Sequence, residues 1–344
     1  FVSSLDGGIT TKDTLSNPYP NGILEPPGSA AGPETLIGQN LTIYMRGMTN
    51  AGYMQQWNFG IQHQLLRDLA VDVAYAGSKG THLPADVRLD QLAPQYLLLG
   101  NAMNSQVPNP FFGQVSSGTL AQPTVAAGQL ARPYPQFTAV TMGGAPVGSS
   151  VYHSLQAKVT KRFATSLMVV VYTFGKAIGD SESRVTWSDG VSGGFMDDYN
   201  RRLDRSLAAL DVSQRFVFQY NLELPFGGGK RYLSNAGKAG WFVSGWELTG
   251  IYTAQSGTPL LLTTASNVTN SYGGGSRPNN NGASAKITGD AHGKLNKWFE
   301  TSAFSQPAPF TFGNTGKTLP DVRTHGVNNL EAGIFKNNYF GHDR

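Results

Sequence analysis

The sequence predicts an all-β protein, an antiparallel transmembrane β-barrel with long extracellular loops. Three observations point there: apolar and polar residues alternate with a period of two over several segments, the links between those segments are short and long by turns, and charge is scarce. Only 14% of the 344 residues are charged, against roughly 25% in an average soluble domain. No stretch approaches the ~20 consecutive apolar residues that a membrane helix needs, so crossing by helices is excluded. The chain has no cysteine, which excludes disulfide frameworks and thiolate metal sites.

The first element runs from Gln56 to Leu65, with Trp57, Phe59, Ile61, His63 and Leu65 on one face and Gln56, Asn58, Gly60, Gln62 and Gln64 on the other. A polar break at Arg67 and Asp68 leads into Leu69, Val71, Val73 and Tyr75, which alternate with Ala70, Asp72, Ala74 and Ala76 and complete a hairpin. The arrangement returns from Val151, where Leu155, Ala157 and Val159 alternate with Ser154, Gln156, Lys158 and Thr160. A tight connection through Arg162 to Ser166 joins it to a return strand from Leu167 to Lys176. The cleanest alternation starts near Gln214, with Phe216, Phe218, Tyr220, Leu222 and Leu224 opposed to Arg215, Val217, Gln219, Asn221 and Glu223. Its partner is expected from Trp241 to Gln255, and a last strand around Asn328 to Lys336.

The links at 67–68, 162–166 and 226–240 are short or moderate, whereas those at 79–150, 178–213 and 256–326 are long and rich in Gly, Pro, Ser and Asn. Outer-membrane barrels sort their connections in this way, short turns on the periplasmic side and long loops outside. Within hydrocarbon every backbone N–H and C=O needs a partner in the protein, so a spanning sheet closes on itself, with one oily and one polar face. The aromatic residues Trp57, Phe59, Tyr75, Tyr172, Phe174, Phe216, Phe218, Tyr220, Trp246 and Tyr252 are therefore expected on the lipid face or at its interfacial girdles. Outer-membrane lipid is the partner this implies.

Chemical motifs are few. Gly190-Val191-Ser192-Gly193-Gly194 matches G-x-S-x-G, but it sits in a glycine-rich loop, without the strand and helix that a nucleophile elbow requires. Gly227-Gly228-Gly229-Lys230 lacks the spacing and the Ser/Thr of a phosphate loop and reads as a periplasmic turn. The six histidines show no zinc-ligand spacing, and His63 on an apolar strand face reads as interfacial. Asp180, Glu182, Asp189, Asp197 and Asp198 crowd one loop, a candidate site for a hard cation such as calcium, weighed against plain solvated charge. The formal charge of +4 comes from scattered Lys and Arg rather than a basic stripe, which argues against a nucleic-acid partner. No catalytic centre and no cofactor are expected.

The segments QQWNFGIQHQL (Gln55 to Leu65) and VDVAYAGSKGTHLP (Val71 to Pro84) resemble the barrel of Oar-like TonB-dependent receptors. So do YHSLQAKVTKRF (Tyr152 to Phe163), YTFGKAI (Tyr172 to Ile178), FVFQYNLELPFGGGKRY (Phe216 to Tyr232), GWELTGIYTAQSGTPL (Gly245 to Leu260) and WFETSAFSQP (Trp298 to Pro307), in the family's order. The resemblance implies a bacterial outer-membrane barrel of about 22 strands, closed by an N-terminal plug. It also implies uptake of an extracellular ligand, an oligosaccharide, a peptide or a metal chelate, driven through the TonB system. Only about seven strands are legible in residues 1–344 and Phe1 is not a start residue, so the chain is expected to be an internal piece of the barrel region. Two other classes stay open at this point: a structural or adhesive outer-membrane barrel, and a soluble β-sandwich binding module, which also alternates.

Overall fold

The computed structural model describes residues 32–44, 50–115, 118–163, 165–181, 194–235 and 237–338, with scattered positions between 14 and 22. Seven long strands form its main sheet: β1 (Tyr53–Leu66), β2 (Leu69–Arg88), β3 (Ala139–Arg162), β4 (Leu167–Gly179), β5 (Gln214–Glu223), β6 (Trp246–Gln255) and β7 (Val327–Lys336). Strands consecutive in the chain are neighbours in the sheet, and every such pair is antiparallel. A meander of this kind places β1 and β7 at the two edges of an open wall, each with one edge unpaired among the described residues.

Direct cross-strand partners share a face, so the register shows what each side of the wall carries. One row runs Ile61, Val73, Ala157, Tyr172, Phe216, Ala254 and Asn328, and the next His63, Val71, Val159, Val170, Phe218, Tyr252 and Leu330. The row between them, on the opposite side, runs Gln62, Asp72, Lys158, Val171, Val217, Thr253 and Asn329. The wall thus has one continuous apolar face and one largely polar face, as the alternation predicts. A cavity of about 420 Å3 opens on the polar face, lined by Asn58, Gln62, Asp72, Gln156 and Lys158 among others.

The apolar face is bare. Phe59 is 69% exposed, Ile61 63%, Leu330 62% and Ile334 67%, and no buried apolar residue among the described positions belongs to these rows. A β-sandwich would seal this face against a second sheet. The sandwich expectation is therefore corrected.

The apolar band also steps sideways. The row that contains Phe59, Tyr75, Leu155 and Phe174 ends at Gln214, while the row Leu222, Leu248 and Ile334 lies beyond the turns that end β1 to β3. Such a diagonal drift is the stagger of strands tilted against a barrel axis.

Several boundaries differ from the sequence expectation. The loop expected over 79–150 loses both its ends, because β2 continues to Arg88 and β3 begins at Ala139, and these lengths pair from Thr81↔Ser149 to Arg88↔Thr141. Irregular register near His82, Leu83 and Ala85, with His82 at φ 55°, breaks the alternation there and hides the strand. A short strand, Asn40–Ile43, pairs parallel with Ala139–Met142, a local departure from the antiparallel rule. The second loop loses 178–179 to β4 and contributes a further short strand, Ser206–Leu207, to the sheet. Trp241 does not begin a strand: Gly240–Val243 is one helical turn, and β6 starts at Trp246.

The connections at one end of the wall are tight, at 67–68 and 163–166, while 224–245 is a longer link. In that link Gly227 takes φ +99°, and a Cβ there would stand 1.9 Å from Ser244 Oγ. Only glycine fits. Lys230 of the glycine run pairs with Glu223 at 2.8 Å, a structural turn as expected.

Candidate functional site

At the other end of the wall stand the three long connections, 89–138, 180–213 and 256–326, and all three meet there. Their described residues are ordered by packing and by side-chain bonds. One apolar cluster joins Leu92 and Leu97 of the first connection to Phe310 of the third, with Met103, Ala131, Tyr272 and Phe312 packed against it. A second, built from Ala285, Ala303, Leu319 and Val322, lies within the third connection. The buried apolar cores therefore sit in this lobe rather than between sheets.

Polar side chains then lock the connections together. Arg132 is 3% exposed and spends all five N–H donors: on Asp90 O and Oδ2, Gln129 Oε1, Phe137 O and Thr138 O. Its guanidinium lies 4.6 Å from the Tyr272 ring centroid, a stacking contact that reaches into the third connection. Burial pushes the Asp90 carboxyl above its ordinary range and pulls the Arg132 guanidinium down, each opposed by the charge of the other.

Gln91 joins the first connection to the second. Its Nε2 donates to Asp197 Oδ1 at 2.7 Å, and its Oε1 accepts from Asp198 N at 2.8 Å. Leu92 N donates to Ser271 O at 2.8 Å, which ties the first connection to the third. Arg277 of the third donates to Asp204 of the second at 3.0 Å and to Leu203 O at 3.0 Å. Arg323 donates to Asp211 Oδ2 at 2.5 Å, while Asp211 Oδ1 accepts from Ala177 N of β4 at 2.6 Å. That last contact fastens the lobe to the wall.

Of the acidic group expected to hold a cation, Asp180, Asp197 and Asp198 are among the described residues. Glu182 and Asp189 lie outside the described residues, as does most of the G-x-S-x-G segment. Asp180 accepts from Ser149 N and Oγ, at 2.6 and 2.8 Å, Asp197 from Gln91 and Tyr199 N, and Asp198 Oδ1 from Arg88 N at 3.1 Å. No three acidic or histidine side chains converge on a metal-sized site among the described residues. These carboxylates serve as acceptors for the chain's own donors, which explains why they are there. Burial pushes the Asp198 carboxyl up to about 6.

The aromatic residues named from the sequence stand on the apolar face or at its margins. Trp57 Nε1 donates to Tyr75 Oη at 3.3 Å, and Tyr75 Oη lies 2.6 Å from His153 Nδ1, a polar cluster near the start of β1 and part-way along β2 and β3. Phe216 and Tyr252 meet edge to face with centroids 6.2 Å apart, and Tyr252 Oη donates to Asn328 at 2.6 Å. Trp246 lies at the opposite end, its Nε1 bonded to Phe242 O at 2.7 Å with Lys336 Nζ 6.0 Å from its ring. Phe59, Phe174, Phe218, Tyr172 and Tyr220 occupy the same face between them. Sequence reasoning missed the cross-links Gln91, Arg132, Arg277 and Arg323, since isolated polar residues in glycine-rich segments carry no periodic signal.

A family model described as an outer membrane beta barrel domain matches residues 2–344. The chain belongs to this outer-membrane β-barrel family. Membership places it in the bacterial outer membrane. Among solved structures, the outer membrane transporter YddB from Escherichia coli is similar at 10% identity and a TM-score of 0.34, over 67% of this chain and 24% of that one. The chain thus spans about a quarter of that transporter's length. No curated protein matches it.

Proposed function

We propose that this outer-membrane barrel region belongs to a TonB-dependent receptor that captures an extracellular ligand on the loop lobe and admits it through the barrel. The observation that carries the reading is the locking of three long connections, distant in sequence, into one lobe by buried polar cross-links at a single end of the wall. A surface ordered before its ligand arrives loses little entropy on binding, which is what a capture site needs. The resemblance of the strand segments to Oar-like receptors supplies the coupling to TonB. The role is one of binding and passage, without catalysis, and the ligand classes are an oligosaccharide, a peptide or a metal chelate.

The test compares uptake of these three classes by cells with the gene, without it, and with the gene but without the TonB system. Receptor function gives uptake of one class that is lost in both mutants. Unchanged uptake together with altered cell-to-cell adhesion would replace this reading with the adhesive one.

A further inference from the structure

At the lobe end of β4 to β7 the apolar face does not simply stop. The segment 286–298 of the third connection overhangs the row Tyr172, Phe216, Ala254 and Asn328, enclosing a cavity of about 720 Å3. Its floor is drawn mainly from the apolar face, with Gln255 and Val327 at the strand ends, so the cavity lies on the lipid side of the wall in this reading. A solute crossing the barrel follows the polar face and would not meet it.

Floor and roof differ in chemistry. The floor offers Tyr172, Phe216 and Ala254, whereas the roof carries Lys286, Lys294 and Trp298. Lys294 Nζ lies 5.0 Å from the Trp298 ring centroid and donates to Ile287 O at 3.4 Å, which holds it at the rim. Neither lysine forms an ion pair among the described residues. Of the other ionisable groups lining the cavity, Arg323 is committed to Asp211, Asp321 accepts from Ser284 Oγ at 2.8 Å and keeps its charge, and His325 stands beside them.

A ligand that satisfies both surfaces needs hydrocarbon for the floor and a compact anion for the lysines. At the external rim of an outer membrane, the molecule with both parts is a lipid of the outer leaflet whose sugar headgroup carries phosphate. We propose that this cavity binds such a phosphorylated glycolipid, its acyl chains along Tyr172 and Phe216 and a phosphate at Lys286 and Lys294. The lipid would then brace the overhang against the wall. The inference rests on the apolar face meeting lipid and is independent of transport.

The full-length protein in nonionic detergent is titrated with a diphosphorylated glycolipid, with the same lipid dephosphorylated, and with inorganic phosphate, and bound lipid is counted by native mass spectrometry. Binding of the phosphorylated form is expected, weakened at least about tenfold by removal of the phosphates or by the double substitution K286Q/K294Q. Inorganic phosphate at millimolar concentration should not displace the lipid, and K238Q, in the link at the opposite end of the wall, should bind like the parent. Equal binding by K286Q/K294Q, equal binding of the dephosphorylated lipid, or displacement by phosphate alone would each overturn the proposal. Because the same samples report whether the protein needs detergent, loss of lipid recognition is separable from failure of the membrane wall itself.

Discussion

Arg132 is buried with its five donors satisfied, so removing the side chain deletes bonds and also leaves Asp90, which is 0% exposed, as an uncompensated carboxyl. Breaking one partner of a buried pair costs about 3–5 kcal/mol. Arg132→Ala should therefore raise hydrogen exchange across 89–138 while β1 to β4 stay protected, and equal protection of the first connection would refute its role as a lock. Asp198 sets a pH dependence. Its carboxyl titrates at about 6, raised from 3.8 chiefly by burial, so the folded lobe holds the proton more tightly than the unfolded chain between those values. The associated stability is complete below the lower value and is lost as pH rises through the upper one. Exchange near 194–200, corrected for its intrinsic rate, should be faster at pH 7.5 than at pH 5, and Asp198→Asn should flatten that dependence.

At the scale of elements, the strands were legible because side chains alternate strictly, and a face immersed in one medium imprints a period of two on the sequence. Phe216 to Glu223 shows this along β5. The lobe-side halves of β2 and β3 were not legible: register shifts near Leu83 and Ala85 break the alternation there, and Gly80, Pro84, Gly143, Gly144 and Pro146 imitate a loop. The lobe was illegible for a different reason. Gln91 and Asp197 are 106 positions apart and Arg277 and Asp204 are 73 apart, and pairings at such distances leave no local pattern. The acidic residues drew attention as a cluster in sequence, yet Asp180 is held by Ser149 of β3, Asp198 by Arg88 of β2 and Asp197 by Gln91 of the first connection and Tyr199 N of its own. A strand-level prediction follows from the two faces. Ile61→Arg places charge in the apolar rows and should cost about 2–4 kcal/mol if that position lies near the bilayer midplane. Gln62→Arg, one residue along and on the polar face, should fold within about 1 kcal/mol of the parent. Equal costs in denaturant titrations of the reconstituted protein would contradict the assignment of faces.

For the whole molecule, the wall and the lobe divide the physical tasks. The wall pairs the backbones of its inner strands through continuous ladders and presents one continuous apolar face. Both buried apolar clusters among the described residues lie in the lobe, at the end where the long connections gather. The chain contains no cysteine, so single cysteines can be introduced for spin labels along β1 without a background. The decisive measurement is the accessibility of labels at positions 58 to 63, in lipid nanodiscs, to oxygen and to a water-soluble nickel chelate. Labels at 59, 61 and 63 should be reached by oxygen and shielded from nickel, with the reverse at 58, 60 and 62. Labels at 59, 61 and 63 shielded from both reagents would put that face in a sealed protein interior and contradict the membrane wall.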